Sequence, residues 1–407
     1  MRQTSYLSPL YSLWYSYLFL YCLPAIYTYL YFPEIFRSDN SFIPFLYCNV
    51  IYGSTILIVP IFLRYNTSRN QFNFSLFKKA NDINNPINRG IIKISLLVFV
   101  ISIILFLYLG LPKLLLLGKG SVDPWEFRII GYDDSPKYLV FVLEVLRRIL
   151  FPFISIYMLT NYHVKNISMN ILSSSGFLIN MLFSAFFLVS IINLDRGPVL
   201  LFISVFAYYH LVIKMEQTFR KRIGNLILFL LVLSFAAAVV SFLQYNNTTF
   251  TKLEFFNQSQ NILLNRAVLD PVLSSYTLSF GIFGENSSKL YFEYSRLFSI
   301  FSGSYTPTVG FTSIYVAPCG IVGDAWRNGG YWGVFFTAIF VSGIYYYLEK
   351  NLLEISGSIQ IPVSFLALVL ALYIIYGGLF SLGPFALILF MFYIIYSNRE
   401  RNHKKSY

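Results

Sequence analysis

The sequence has little charge and few cysteines, and each scarcity excludes a class of protein. Charged residues make up 12% of the chain, whereas soluble domains carry about 25%. The cysteines, Cys22, Cys48 and Cys319, are scattered along the chain, so we expect neither a disulfide framework nor a cysteine zinc site. What the chain has instead is 57% hydrophobic residues and a mean hydropathy of +0.62. This composition is typical of a protein whose solvent is lipid.

About ten apolar runs have lengths suited to crossing a bilayer as a helix, which takes roughly 17 to 25 residues. They are residues 10–32, 42–63, 91–111, 138–159, 171–192, 198–213, 223–243, 331–348, 361–376 and 380–396. The sixth and ninth runs are short, so we expect them to be tilted, broken or extended by their flanks. The first run has no small-residue cleavage site and is interpreted as an uncleaved span. The pattern predicts an all-α, polytopic integral membrane protein.

Lysine and arginine are concentrated in alternate connections, which predicts the orientation of the chain. Residues 64–93, 214–222 and 399–405 are the basic ones, and basic connections face the cytoplasm. With an even number of spans, both termini are then cytoplasmic. We assign the net charge of +12 to this sidedness and expect no nucleic-acid partner. A sizeable remainder of the basic residues would still face outward, which suggests an anionic ligand on that side.

One connection is far longer than the others, and it divides the chain into three parts. We predict that residues 1–243 form the first seven transmembrane helices and that residues 331–407 form the last three with a basic cytoplasmic tail. Between them, residues 244–330 are too polar to span and form a large extracytoplasmic loop. Segments 251–264 and 270–280 mix apolar and polar residues as short interfacial helices do.

The fourth predicted span carries Glu144, Arg147 and Arg148 within one turn of its outer half. Each charge near the middle of a bilayer costs about 2.5 to 3.5 kcal/mol. The spacing of Glu144 and Arg148 allows a helical i,i+4 ion pair, which accounts for one arginine structurally. We expect that the second arginine does not pair equally well with the same carboxylate. The pattern therefore predicts that at least one arginine faces an anionic ligand.

A tight outer turn joins the fifth and sixth predicted spans and contains Asp195, Arg196, Gly197 and Pro198. Proline is favoured at the start of a helix, and the free N–H groups there attract anions. An arginine beside such a helix start is suited to holding phosphate oxygens. The alternative is that Arg196 only anchors the chain at the lipid headgroups, and the sequence leaves both open.

The segment that leads into the eighth predicted span is rich in glycine and ends in GDAWRNGGYWG. Its charges are Asp324 and Arg327, three residues apart. One interpretation is a flexible loop with an incidental ion pair. The other is a site, because glycine permits sharp turns and close backbone approach.

This segment resembles the C-terminal part of the oligosaccharide repeat-unit polymerases of the O-antigen, or Wzy, type. In that family a glycine and an acidic residue, followed by an Asn-Gly or related turn, lead into a glycine-containing span after the large periplasmic loop. The matching residues here are Gly323, Asp324, Asn328, Gly329 and Gly333.

Other features of the chain are similar to the family in order and sidedness. They are the Arg-Gly turn at Arg196, the basic residues Arg147 and Arg148 at the head of a Phe-rich span, and Arg266 in the large loop. The likeness covers most of the chain in layout and only short stretches in sequence.

The resemblance implies a GT-C-like fold and a glycosyltransferase of lipopolysaccharide biosynthesis. Such an enzyme transfers a glycan from undecaprenyl pyrophosphate to a lipid-linked repeat unit at the periplasmic face of the bacterial inner membrane. Its implied partners are these lipid-linked oligosaccharides, membrane lipids and a chain-length regulator protein. We expect no metal and no other cofactor, because arginine can stabilise the pyrophosphate leaving group.

The resemblance also implies roles for individual residues. The catalytic candidates are Asp324, Arg196 and Arg266, with Asp324 preferred as the base over Glu144 and Asp270. The substrate-binding candidates are Arg147, Arg148, Arg327, Arg296 and Glu144. A metal-dependent alternative would have to use the adjacent pair Asp133 and Asp134, which is more typical of a solvated turn.

Two other functions compete with this one. An O-antigen ligase shares the layout and the lipid donor, but that family relies on a histidine in the large periplasmic loop. The histidines of this chain, His163, His210 and His403, all fall on the predicted cytoplasmic side. A flippase for lipid-linked oligosaccharides is disfavoured because we find no repeated halves.

Overall fold

The computed structural model describes residues 5–31, 42–66, 77–80, 89–112, 136–165, 174–192, 196–213, 320–377 and 382–405, and most of these residues are helical. The helices are α1 (Pro9–Tyr17), α2 (Leu23–Tyr31), α3 (Phe42–Asn66), α4 (Arg89–Leu105), α5 (Lys137–Val145), α6 (Phe151–Lys165), α7 (Ser174–Ile191), α8 (Arg196–Tyr208), α9 (Gly320–Leu352), α10 (Gly357–Gly377) and α11 (Leu382–Lys405). Two strands are present, β1 (Ser5–Leu7) and β2 (Phe77–Lys79).

Four helices in these ranges are long and apolar enough to cross a membrane. They are Phe42–Arg64, Ile92–Gly110, Gly329–Leu352 and Gly357–Ile375, and they coincide with the second, third, eighth and ninth predicted spans. Shorter apolar helices, Phe177–Ser190 and Leu201–Ile213, fall on the fifth and sixth. These helices indicate a membrane-embedded protein. The seventh predicted span, 223–243, and the predicted loop helices lie outside the described residues.

Short π-helical turns extend or join several α-helices. They are Leu18–Cys22, Phe106–Gly110, Leu146–Leu150 and Tyr209–Ile213. One of them joins α5 to α6, giving consecutive helical segments of 9, 5 and 15 residues over the fourth predicted span. A π-turn adds a residue to one turn and so shifts which side chains share a face. The periodicity of the sequence did not predict these turns.

The chain forms two compact units. Unit 1 contains Met1–Leu7, Phe77–Leu263 and Ile355–Leu366, and unit 2 contains Ser8–Leu76, Leu264–Glu354 and Ala367–Tyr407. Each unit is described by itself below.

In unit 1, α7 packs against α4, α6 and α8. Gly110, in the π-turn that follows α4, allows this turn to approach the end of α7 closely. A Cβ placed on Gly110 would lie 3.1 Å from Cγ1 of Ile192 and 2.9 Å from Cδ2 of Phe106, so only glycine fits without a shift of its neighbours.

Unit 1 also contains a two-stranded antiparallel sheet, in which Ser5 of β1 lies opposite Lys79 of β2. The expectation that the fold is all-α was wrong for these residues. Strands of three residues are too short to produce the polar–apolar alternation by which strands are recognised in a sequence.

A closed ring of hydrogen bonds holds β1 within unit 1. The Leu7 N–H donates to Tyr208 Oη at 3.2 Å, Tyr208 bonds Ser364 Oγ at 2.9 Å, and Ser364 donates to the Leu7 carbonyl. Because the serine proton is used on Leu7, the tyrosine must donate to the serine. The ring satisfies backbone groups that would be costly to leave unpaired in an apolar environment.

In unit 2, α9 packs against α3 and α1, and a buried carboxylate on α9 caps the start of α1. Glu349 is 2% exposed. It accepts hydrogen bonds from Ser8 Oγ at 2.8 Å and from the Leu10 N–H at 3.4 Å. The first N–H groups of a helix have no partner inside the helix and carry partial positive charge, so an anionic cap stabilises them.

Helix α9 is broken at Gly329 and Gly330. Gly330 has φ of 58° and ψ of −143°, a backbone conformation that side-chain-bearing residues rarely adopt. The rings of Trp326 and Tyr331 pack edge to face across the break, with centroids 5.0 Å apart. The glycine-rich motif is therefore a short helical segment, a sharp break and then a long apolar helix.

Contacts in unit 2 bring several helix ends together. The start of α1 meets Glu349 near the end of α9, and the Tyr346 hydroxyl donates to the carbonyl of Leu63 near the end of α3. Arg399, near the end of α11, forms an ion pair with Glu354, just beyond the end of α9. The start of the first helix and the end of the last therefore lie at the same end of this unit.

Candidate functional site

Glu144, Arg147 and Arg148 form a single ion-paired cluster, which we call the charged turn. Arg147 Nη2 pairs with one oxygen of the Glu144 carboxylate, and Arg148 Nε pairs with the other. Both arginines reach the same carboxylate, Arg147 through a hydrogen bond and Arg148 through an ion pair. The i+3 and i+4 positions both reach the carboxylate, and each takes one of its two oxygens. Within the described residues, the charged turn contains two guanidinium groups and one carboxylate.

The members of the charged turn differ in exposure. The Arg147 side chain is 0% exposed, whereas Arg148 is 36% and Glu144 26% exposed. Burial of a guanidinium costs several kcal/mol of desolvation, roughly, unless a carboxylate compensates it. Glu144 supplies compensation for Arg147, and Arg148 is the more exposed of the two guanidinium groups.

A layer of phenylalanine rings lies one helical turn from the charged turn. Phe151 at the start of α6 stacks in parallel on Phe186 of α7, with centroids 5.0 Å apart. Phe186 packs edge to face on Phe202 of α8 at 5.2 Å. These three rings, which we call the phenylalanine layer, fix the relative heights of α6, α7 and α8.

The phenylalanine layer also determines which residues of the neighbouring helices lie at the same height one helical turn away from it. Four residues are about one helical turn, so Arg147, Ser190 and Pro198 lie at one level, on the side of the layer toward the start of α8. Helices α7 and α8 both pack against the π-turn Leu146–Leu150 that carries Arg147 and Arg148. The structure therefore brings the charged turn beside the start of α8, whose first residue is Arg196.

Ser190 is a residue that the sequence analysis missed. It is fully buried, and its hydroxyl has no hydrogen-bond partner among the residues that the structure describes. No sequence signal distinguishes it, because single serines are common in membrane helices. Only its level beside Arg147 does.

The remaining predicted site residues are less fully placed. Arg196 begins α8 in unit 1, and Arg327 lies in the first segment of α9 in unit 2, but neither side chain is described. Asp324, also in unit 2, is partly buried and precedes the break in α9. The candidates Arg266, Arg296, Asp270, Asp133 and Asp134 lie outside the described residues.

His163 is buried near the end of α6, with its ring edge-on to Tyr209 at a centroid distance of 6.1 Å. That position is at the opposite end of α6 from the charged turn. Within the described ranges, no three His, Cys, Asp or Glu side chains are grouped as metal ligands would be.

Comparison with protein-family models, curated proteins and solved structures finds no match to this chain. The resemblance to oligosaccharide polymerases therefore rests on the short motifs and on their order along the chain.

Proposed function

We propose that this protein is an O-antigen-type polymerase of the bacterial inner membrane. It joins undecaprenyl-pyrophosphate-linked repeat units into a polysaccharide at the periplasmic face. The proposed molecule has about ten spans, cytoplasmic termini, a large periplasmic loop and a GT-C-like architecture. Lipid-linked oligosaccharides are its substrates, and a chain-length regulator is a proposed partner.

The observation that carries this proposal is the charged turn beside the start of α8, one helical turn from the phenylalanine layer. Two arginines at an apolar boundary suit a ligand with an anionic headgroup and a hydrocarbon tail. Arginine binds phosphate oxygens through fixed, paired N–H groups, and such contacts strengthen where water is excluded.

In the proposed reaction, an acceptor sugar hydroxyl attacks the anomeric carbon of the donor glycan. The bond from that carbon to the pyrophosphate oxygen breaks, and the lipid pyrophosphate leaves with the bonding electrons. A base takes the hydroxyl proton, and we assign this role to Asp324. Cations close to the leaving oxygen stabilise the charge that develops there.

We assign the charged turn to the pyrophosphate. Arg148 contacts it directly because its side chain is the more exposed of the two, whereas Arg147 is fully buried, pairs with Glu144 and contributes charge and position. Arg196 and Arg266 are proposed catalytic arginines, and Arg327 and Arg296 are weaker binding candidates.

The test is the surface glycan of a strain that lacks the gene and carries variants expressed at normal levels. Arg148→Gln is expected to lower polymerisation at least about 100-fold, leaving a single-unit cap on a gel. Arg148→Lys should retain part of the activity, because it keeps the charge. Arg399→Gln is the matched control, since this arginine also pairs with a glutamate, and it should give normal ladders.

The same gel separates the alternatives. Long ladders from Arg148→Gln, or from both Arg196→Ala and Arg266→Ala, would contradict the assignment. Complete absence of surface glycan in the deletion strain, rather than a single-unit cap, would indicate a ligase or a flippase.

A further inference from the structure

The Ser190 hydroxyl is buried without a hydrogen bond to any described residue. Water and protein normally satisfy such a group, because an unpaired hydroxyl in an apolar environment is unfavourable. In a membrane helix a hydroxyl can bond the carbonyl four residues back, as Ser102 does with Val98 and Thr160 with Ile156. Ser190 makes no such bond in the structure, so its proton is available to a different acceptor.

The surroundings of Ser190 point to the nature of that acceptor. Phe186 and Ser190 are one turn apart on α7, as are Phe151 and Arg147 on the adjoining helix, and the two phenylalanine rings are stacked. Ser190 is therefore level with Arg147 and beside the charged turn. The start of α8 lies at the same level, because Phe202 of α8 also packs on Phe186.

We propose that the Ser190 hydroxyl is a further ligand of the pyrophosphate group, donating its proton to a phosphate oxygen that Arg148 also binds. This proposal rests on the proposed function and adds to it a residue of α7. A neutral hydroxyl donor adds a hydrogen bond without further charge repulsion against the two arginines. The bound anion supplies the acceptor that the packed helices do not.

The test compares Ser190→Ala with Ser155→Ala in the full-length protein in nanodiscs. Ser155 is a matched control: it is fully buried, its hydroxyl has no partner among the described residues, and it lies one turn from Phe151 on the side away from Arg147. Binding of farnesyl pyrophosphate is measured by titration calorimetry. A lost hydrogen bond to a charged group predicts about 10-fold weaker binding for Ser190→Ala and a change within about twofold for Ser155→Ala.

Inorganic pyrophosphate and farnesyl monophosphate are titrated in parallel. Weaker binding of both pyrophosphate probes to Ser190→Ala supports the proposal, and their relative affinities show whether the lipid chain contributes. Unchanged binding to Ser190→Ala, an equal loss in Ser155→Ala, or no binding of either pyrophosphate probe to the wild-type protein overturns it.

Glycan ladders from the same variants separate this proposal from the proposed function. If Arg148→Gln abolishes ladders while Ser190→Ala binds normally, the assignment of Ser190 fails and the polymerase function stands. If Ser190→Ala weakens binding while the strain that lacks the gene still produces long ladders, the site exists and the polymerase function fails.

Discussion

Glu144 holds two guanidinium groups with one carboxylate, and this sharing explains how one apolar helix accommodates three charges. Arg147 on one oxygen is fully buried, and Arg148 on the other remains partly exposed. Removing the carboxylate would take away the ion pair that Glu144 supplies to a buried cation. The consequence can be measured against an exposed pair in the same protein.

Glu144→Gln is expected to destabilise the protein by about 3 kcal/mol, because it removes an ion-pair partner from a fully buried guanidinium. Glu354→Gln is the control. Its partner Arg399 is 34% exposed and Glu354 itself is 38% exposed, so its loss should cost about 0 to 1 kcal/mol. The measurement is thermal unfolding of the purified variants in one detergent. Equal shifts for the two variants would contradict the structural role given to Glu144.

At the scale of elements, the break in α9 converts the glycine-rich motif into two helical segments. Gly330 adopts a positive φ, and the segment before it carries Asp324. A residue with a Cβ at this position disfavours the break and changes the direction of that segment. A second glycine of the same helix, Gly343, has nothing within 4 Å of the position of an added Cβ, so a side chain fits there.

Gly330→Ala is expected to cost about 1 to 3 kcal/mol through backbone strain and to reduce glycan polymerisation. Gly343→Ala should be neutral or stabilise the protein by up to about 1 kcal/mol, because nothing lies within 4 Å of its added Cβ and alanine favours helix. Thermal unfolding and glycan ladders are measured for both. Identical behaviour of the two variants would show that the break is not required.

The carboxylate cap on α1 gives a second prediction for an element. Glu349→Gln keeps an acceptor for Ser8 and Leu10 but loses the charge, whereas Glu349→Leu loses both. We expect the loss of charge in Glu349→Gln to lower the free energy of unfolding by about 0.5 to 1 kcal/mol. Glu349→Leu should lower it by at least about 1 kcal/mol more, because the donors of Ser8 and Leu10 lose their acceptor. The order wild type, Gln, Leu in unfolding temperature checks this, and a more stable Leu variant would refute it.

At the scale of the whole molecule, contacts within each unit bring together ends of segments that are distant in the sequence. In unit 1, β1 lies against β2 and near the end of α8, through the bond from Ser5 Oγ to the Val212 carbonyl at 2.5 Å. In unit 2, the start of α1 and the end of α11 lie at one end. The sequence predicts that all of these segments are cytoplasmic, and this sidedness stays a prediction.

Reporter fusions test which side that is. Green fluorescent protein fused after Tyr407 should fluoresce, and alkaline phosphatase at the same position should be inactive, because both termini are proposed to be cytoplasmic. Alkaline phosphatase fused within residues 244–330 should be active, since only exported phosphatase folds correctly. The reverse pattern would overturn the orientation drawn from the basic connections.

The sequence by itself determined that this is a helical membrane protein and where several of its helices lie. Long apolar runs coincide with helices such as Phe42–Arg64 and Gly357–Ile375, because lipid obliges a backbone to satisfy its hydrogen bonds within the helix. The motif at Gly329 and Gly330 marked a turn, because glycine is the residue that a positive φ requires. These are local properties and can be read from neighbouring residues.

Only the tertiary structure decided which distant groups meet. The partners of Leu7, the cap on α1 and the level of Ser190 beside Arg147 all depend on how helices pack. Packing between membrane helices depends on side-chain shape and a few polar contacts rather than on hydropathy. Hydropathy therefore located the helices, whereas the stacked rings of Phe151 and Phe186 set the register that places Ser190 beside the charged turn.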